Sequence, residues 1–115
     1  MITFKRKASD AVFRAIADPT RREILSLLRS GPQAVGELAS NFRSSRPAIS
    51  KHLRLLRSAG LVVTQKAGAA RKCHLNATPL QGISAWLGDY EAFWGQSLRG
   101  LKNYIEETGK VKRKN

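Results

Sequence analysis

The chain has 115 residues, 42% of them apolar, enough for one domain around a single core and too few for two ordinary domains. Twenty-one Lys and Arg stand against eight Asp and Glu, for a formal net charge of +13. That balance argues against an enzyme of neutral substrates and for a polyanionic partner, nucleic acid first and an anionic membrane surface second.

The opening Met1-Ile2-Thr3-Phe4-Lys5-Arg6-Lys7 is basic and has no apolar run behind it. No segment approaches the roughly 20 apolar residues of a membrane span. Cys73 is the single cysteine, which excludes an intramolecular disulfide and agrees with a reducing compartment. The expectation is a soluble cytoplasmic protein.

The first predicted helix covers residues 9–17, with Ala8, Val12, Phe13 and Ile16 able to share one side. Asp18-Pro19 then restarts the chain, Asp as N-cap and Pro at the first helical position. The second helix carries Ile24, Leu25, Leu27 and Leu28 and stops at Gly31-Pro32. Val35, Leu38, Ala39 and Phe42 recur at i, i+3, i+4, i+7 and predict a short third helix. After Arg43-Ser44-Ser45, a fourth runs from about Arg46 to Ala59, with Ser45 or Arg46 as its cap, and Gly60 closes it.

The fourth helix has two faces. Ala48, Ile49, Leu53, Leu55 and Leu56 fall in one broad sector, and Arg46, Ser50, Lys51, Arg54 and Arg57 in the other. Short helix, tight turn and basic amphipathic helix make a helix-turn-helix. In that geometry the second helix enters the major groove N-terminal end first. Arg46, Ser50 and Lys51 are the expected base readers. Arg43, Ser44, Ser45, Arg54 and Arg57 are expected at phosphates, which set register rather than sequence. No Asp or Glu occurs between Glu37 and Asp89.

Leu61-Val62-Val63-Thr64 and His74-Leu75-Asn76 predict a β-hairpin with a basic tip joined by Gly68-Ala69-Ala70-Arg71-Lys72. Such a wing would bring Lys66, Arg71 and Lys72 to the backbone or minor groove. A last helix is expected from Thr78-Pro79 to about Glu107, roughly 40 Å long. Leu80, Ile83, Leu87, Tyr90, Trp94, Leu98, Leu101 and Ile105 form its apolar stripe, widened by Trp86 and Phe93. So long an apolar helix asks for a partner helix. Dimer contacts are expected at Val12, Phe13 and Ile16 of the first helix and at Ile83, Leu87, Tyr90, Trp94, Leu98 and Leu101 of the last. The fold class is therefore mainly α, about five helices with a two-stranded wing, over residues 1–108. Residues 109–115, with Lys110, Lys112, Arg113 and Lys114, are expected to be a disordered basic tail.

The sequence resembles the ArsR (arsenical-resistance repressor) family of small winged helix-turn-helix regulators from about Asp10 to Tyr104. The resemblance rests on Phe13-Arg-Ala-Ile-Ala-Asp-Pro-Thr-Arg-Arg-Glu-Ile-Leu25, on Glu37-Leu-Ala39, and on Ser50-Lys-His-Leu-Arg-Leu-Leu-Arg-Ser-Ala-Gly-Leu-Val62. It implies a homodimer that binds an inverted repeat at a promoter, usually as a repressor, reading bases from Arg46, Ser50 and Lys51. It departs from the family in the wing, where Ala69-Ala70-Arg71-Lys72 replaces consecutive arginines. Many relatives also carry a cysteine pair where Val35-Gly-Glu-Leu-Ala-Ser-Asn-Phe42 stands, and others Asp, His and Glu ligands on the last helix. Here the last helix has Asp89 and Glu91 and no His.

A closed zinc site wants about four ligands, and only Cys73, His74 and His52 offer themselves. No regulatory metal or cofactor is expected. Adjacent strand residues face opposite ways, so Cys73 and His74 cannot be a nucleophile and its base. Cys73 is expected as a small strand residue, with a redox thiol activated by Arg71 and Lys72 as the other reading. His52 is expected to be partly buried and locally hydrogen-bonded. No Ser/His/Asp set, carboxylate pair or phosphate loop occurs, and an enzyme is not expected. The alternative to a dimeric repressor is a non-specific DNA-coating or RNA-binding protein, favoured by Lys5-Arg6-Lys7 and the basic tail.

Overall fold

The computed structural model describes residues 10–94 and 103–107. Its elements are α1 (residues 10–16), α2 (Pro19–Leu28), β1 (Gln33–Ala34), α3 (Val35–Ala39), α4 (Arg46–Ser58), β2 (Val62–Ala67), β3 (Ala70–Leu75), a 3₁₀ turn (Thr78–Leu80) and α5 (Gln81–Gly88). Helix recurs over residues 91–94 and 103–107. The chain divides into two compact units between Ile83 and Ser84.

In the first unit, local chemistry sets the helix ends. Asp18 caps α2 by accepting from the Arg21 N–H at 3.0 Å, and Pro19 fills the first position. Ser45 is the cap of α4, its Oγ accepting from the Ala48 N–H at 3.3 Å. At the other end of α4, Gly60 takes φ 79°. Its N–H donates to the Arg57 carbonyl at 2.9 Å and that of Leu61 to the Leu56 carbonyl at 3.0 Å. This is a Schellman closure, sealed by Leu56 and Leu61, both fully buried. It turns the chain straight into β2.

The sheet has three antiparallel strands in the order β1-β3-β2. The third strand is β1, which pairs Gln33 with Cys73 and Ala34 with Lys72. The hairpin is longer and tighter than expected. Residues Ala70–Lys72 belong to β3 and pair with Gln65–Ala67, leaving only Gly68-Ala69 as the turn. Gly68, at φ 66°, supplies the left-handed first position such a turn requires. Asn76 pins the base of the hairpin, its N–H donating to the Leu61 carbonyl at 2.8 Å and its Nδ2 to the Gly60 carbonyl at 2.9 Å.

The core gathers Val12 and Ala15 of α1, Ile24, Leu25 and Leu28 of α2, Leu38 of α3, Ile49, Leu53 and Leu56 of α4, Leu61 just before β2, and Val62 and Cys73 of the sheet. Leu55, expected among the buried residues of α4, is 44% exposed. It stands one turn beyond Lys51, off the line of Ile49, Leu53 and Leu56, and borders an open cleft with Ala11, Arg14 and Ser58. The last helix is not continuous. After the 3₁₀ turn, α5 gives way to a turn at residues 89–90. The N–H groups of Asp89 and Tyr90 bond three residues back, to the Trp86 and Leu87 carbonyls at 3.2 and 3.0 Å. Gly88, a poor helix former, sits at the tightening.

The Asp18 cap carries a stability prediction. The Arg21 N–H, above all, holds the Asp18 carboxyl below its ordinary 3.8, with the Arg21 charge acting the same way. A carboxyl lowered by folding stabilises above its unfolded value, and that contribution is lost as pH falls through the lower folded value. Asp18→Ala should therefore cost about 1 kcal/mol near neutral pH. The deficit against the parent should shrink in strong acid, as urea melts at the two pH values would measure. In the core, Leu53→Ala should cost about 2–5 kcal/mol in the same assay.

Candidate nucleic-acid interface

α3 and α4 are joined by residues 40–45. The end of α3 is closed by its own side chains, the Ser40 hydroxyl donating to the Glu37 carbonyl at 2.6 Å and Asn41 Nδ2 to the same oxygen at 3.0 Å. At its start the Glu37 carboxylate accepts from the Ala34 N–H at 2.9 Å. This lone acidic side chain of α3 is thus engaged with backbone.

Burying Ile49, Leu53 and Leu56 turns the opposite side of α4 outward. Pro47, Lys51, Arg54 and Ser58, spaced i, i+4, i+7, i+11, form the exposed ridge. Ser50 is half-buried at its edge. Arg57 is exposed in the last turn, where its charge suits the helix dipole. Arg46, also exposed, lays its guanidinium over Gly36 of α3, and a Cβ there would lie 3.9 Å from Arg46 Cζ. Arg43, Ser44 and Ser45 are exposed in the turn. The Ser45 oxygen already serves as the α4 cap, so the cap is Ser45 and not Arg46.

On the hairpin, directly paired residues share a face. Val62–Leu75 and Thr64–Cys73 face the core, and Lys66–Arg71 extends the same face beyond it. Lys66 and Arg71 are exposed and directly opposed. Like charges so placed repel, and an anion between them relieves the cost. Lys72, half-buried, pairs with Gln65 on the other face. The cations therefore lie along the strands instead of at the tip.

Cys73 is fully buried between β1 and β2. Burial pushes its thiol above the ordinary 9.0, and the opposing pull of Arg57 and Thr64 does not offset it. This corrects the reading of a thiol activated by Arg71 and Lys72. His52 is half-buried, but its partner is not local: Nδ1 lies 3.3 Å from Nη1 of Arg21, 31 residues earlier. Among the described residues, no three of His, Cys, Asp and Glu come together as a metal site, and no helix is long and apolar enough to cross a membrane.

Of the expected dimer contacts, Val12 is 2% exposed and packed in the core of its own chain. Its neighbours Phe13 and Ile16 are half-buried. Ile83 packs against the same core, while Leu87, Tyr90 and Trp94 are exposed. Around them Trp86 meets Tyr90 edge-on, with centroids 5.0 Å apart. Among the described residues, all the exposed large apolar side chains except Leu55 and Val63 lie from Trp86 onward. Leu98, Leu101, the N-terminal Lys5-Arg6-Lys7 and the basic tail lie outside the described residues.

Residues 18–64, which hold α2, α3, α4 and the start of the wing, match the family model described as "Bacterial regulatory protein, arsR family". The HTH-type transcriptional regulator Rv2034 of Mycobacterium tuberculosis is 41% identical over 90% of this chain and 94% of its own length. The chain belongs to the ArsR family of transcriptional regulators. The transcriptional repressor SdpR of Bacillus subtilis is 42% identical to this ArsR-family protein over 66% of this chain and 84% of SdpR. An ArsR-like transcriptional regulator from Rhodococcus sp. RHA1 superposes with a TM-score of 0.67 at 32% identity, over 86% of this chain and 93% of that one. The homodimeric winged helix-turn-helix DNA-binding domain Mb0332 of Mycobacterium bovis shares the fold, with a TM-score of 0.60 at 23% identity over 77% and 84% of the two chains.

Native protein at neutral pH should resist a thiol reagent at Cys73 and react fully after unfolding in urea. Rapid labelling of the folded chain would contradict the burial of Cys73.

Proposed function

We propose that this ArsR-family protein is a cytoplasmic, non-enzymatic, homodimeric repressor that binds an inverted repeat at a promoter. The observation that carries the proposal is the outward ridge of α4, with Lys51 and Arg54 exposed above a fully buried apolar seam. In this reading Arg46, Ser50 and Lys51 meet base edges. Arg43, Ser44, Ser45, Arg54 and Arg57 meet the phosphates around them. The opposed Lys66 and Arg71, with Lys72, hold the backbone beside the wing, where DNA supplies the anion their repulsion calls for.

Dimerisation is supported by the exposed aromatic and aliphatic side chains from Trp86 onward and by the homodimeric state of the Mycobacterium bovis domain. Phe13 and Ile16 of α1 join them in the proposed contact, as do Leu98 and Leu101. One dimeric regulator would then use residues 1–108 as a whole, with 109–115 as a basic extension. Two reading helices related by symmetry would stand about 34 Å apart, one turn of DNA. The repressor assignment follows the name of the Bacillus subtilis relative and the simplest mechanism for so small a protein, occlusion of the promoter.

Gel-shift titration against the protein's own upstream region tests the proposal. Preference over random duplex and a protected inverted repeat are expected; featureless coverage would favour a non-specific coating protein. Lys51→Ala should cost about 1–3 kcal/mol and relax one base position, while Arg54→Ala should weaken all sequences about equally. If six to ten phosphates are engaged, affinity should fall by about 10³–10⁵ between 50 and 200 mM salt.

A further inference from the structure

Arg21 joins three helices through one residue. Its backbone N–H is held by the Asp18 cap at 3.0 Å. Its Nε donates to the Ala15 carbonyl at 2.6 Å and its Nη2 to the Arg14 carbonyl at 3.0 Å. Both carbonyls lie in the last turn of α1, and that of Arg14 also accepts from the Ala17 N–H at 3.3 Å. Its remaining Nη1 lies 3.3 Å from Nδ1 of His52 on α4. A guanidinium has only donors, so Nδ1 accepts and the ring proton sits on Nε2. The Asp18 carboxylate, 3.9 Å from the same nitrogen, is too distant to hydrogen-bond it.

We infer that Arg21 is a positioning residue for DNA recognition: through His52 it fixes the angle between α1 and α4, and so sets the half-site spacing that the dimer accepts. The inference rests on the proposed roles of α1 in the dimer and of α4 in the groove. The apolar seam of Ile49, Leu53 and Leu56 keeps α4 on the core but has no directional bond to fix its roll or swing. The Arg21–His52 bond is directional, and His52 is next in sequence to Lys51 on the outward ridge. α4 is about 20 Å long. A swing of about 20° about its middle moves each end by roughly 3 Å, close to the rise of one base pair.

Three variants of the full chain separate positioning from folding. Arg21→Lys keeps the charge and loses the fork. His52→Leu removes the acceptor, and His52→Asn restores a carbonyl oxygen near the place of Nδ1. The measurement is selection from a pool of inverted repeats whose half-site separation varies in single base pairs, with the melting temperature followed in parallel. The parent and His52→Asn should favour one separation. Arg21→Lys and His52→Leu should lose roughly tenfold of that discrimination while selecting the same half-site bases. If the parent favours one separation and both variants keep that preference, the inference fails and the repressor reading stands. If the parent prefers no inverted repeat, the dimeric reading fails and takes the spacing claim with it. The ¹⁵N spectrum of the His52 ring reads the hold without DNA. Protonated Nε2 and bare Nδ1 are expected in the parent, and a mixture of tautomers in Arg21→Lys; a parent ring protonated at Nδ1 would overturn the inference whatever the binding assays give.

Discussion

Burial of Ile49, Leu53 and Leu56 along one side of α4 is the constraint on which the rest of the molecule depends. All three are fully buried. A helix that hides one stripe must present the opposite one, so the same three side chains that close the core also push Lys51 and Arg54 into solvent. The outward direction of the cations is thus a by-product of hydrophobic packing. The closure at Gly60 and the cap at Ser45 then limit how far the helix extends at either end.

The sheet does for the wing what the seam does for the helix. Strand alternation sends Val62, Thr64 and Cys73 toward the core, and the same alternation lines up Lys66 with Arg71 beyond its edge. Cys73 therefore serves packing, at the cost of reactivity: a thiol buried between two strands is kept protonated, whatever cations stand nearby in sequence. Two basic side chains face to face on a two-stranded projection repel each other, and the stretch of chain around them carries no acidic residue between Glu37 and Asp89.

Features written in neighbouring residues were readable from the sequence. Asp18-Pro19, Pro47 and Gly60 announce helix ends by capping chemistry, and the structure places the ends there, with Ser45 in place of Arg46 as the cap of α4. The basic side of α4 was equally plain. What escaped depends on contacts across the chain. β1 is two residues long and carries no alternation to detect, so its pairing with β3 shows only in space. Ala67 and Ala70 lack the branched side chains that mark strands, which hid the true length of the hairpin. Leu55 shares the apolar character of its neighbours but not their direction. The aromatic pattern runs across Gly88 without a break, whereas the backbone turns there. Arg21 and His52 are far apart in sequence, and nothing local couples them.

The two-residue turn at Gly68-Ala69 limits how the wing can change. Every residue of β2 out to Ala67 has a partner in β3, so the projection has no slack to absorb an insertion. One added residue would swap the two faces beyond it and send a cation to the wrong side. Related proteins with longer or shorter projections should therefore differ by whole pairs of rungs, and the reach of this element toward its target should vary in discrete steps.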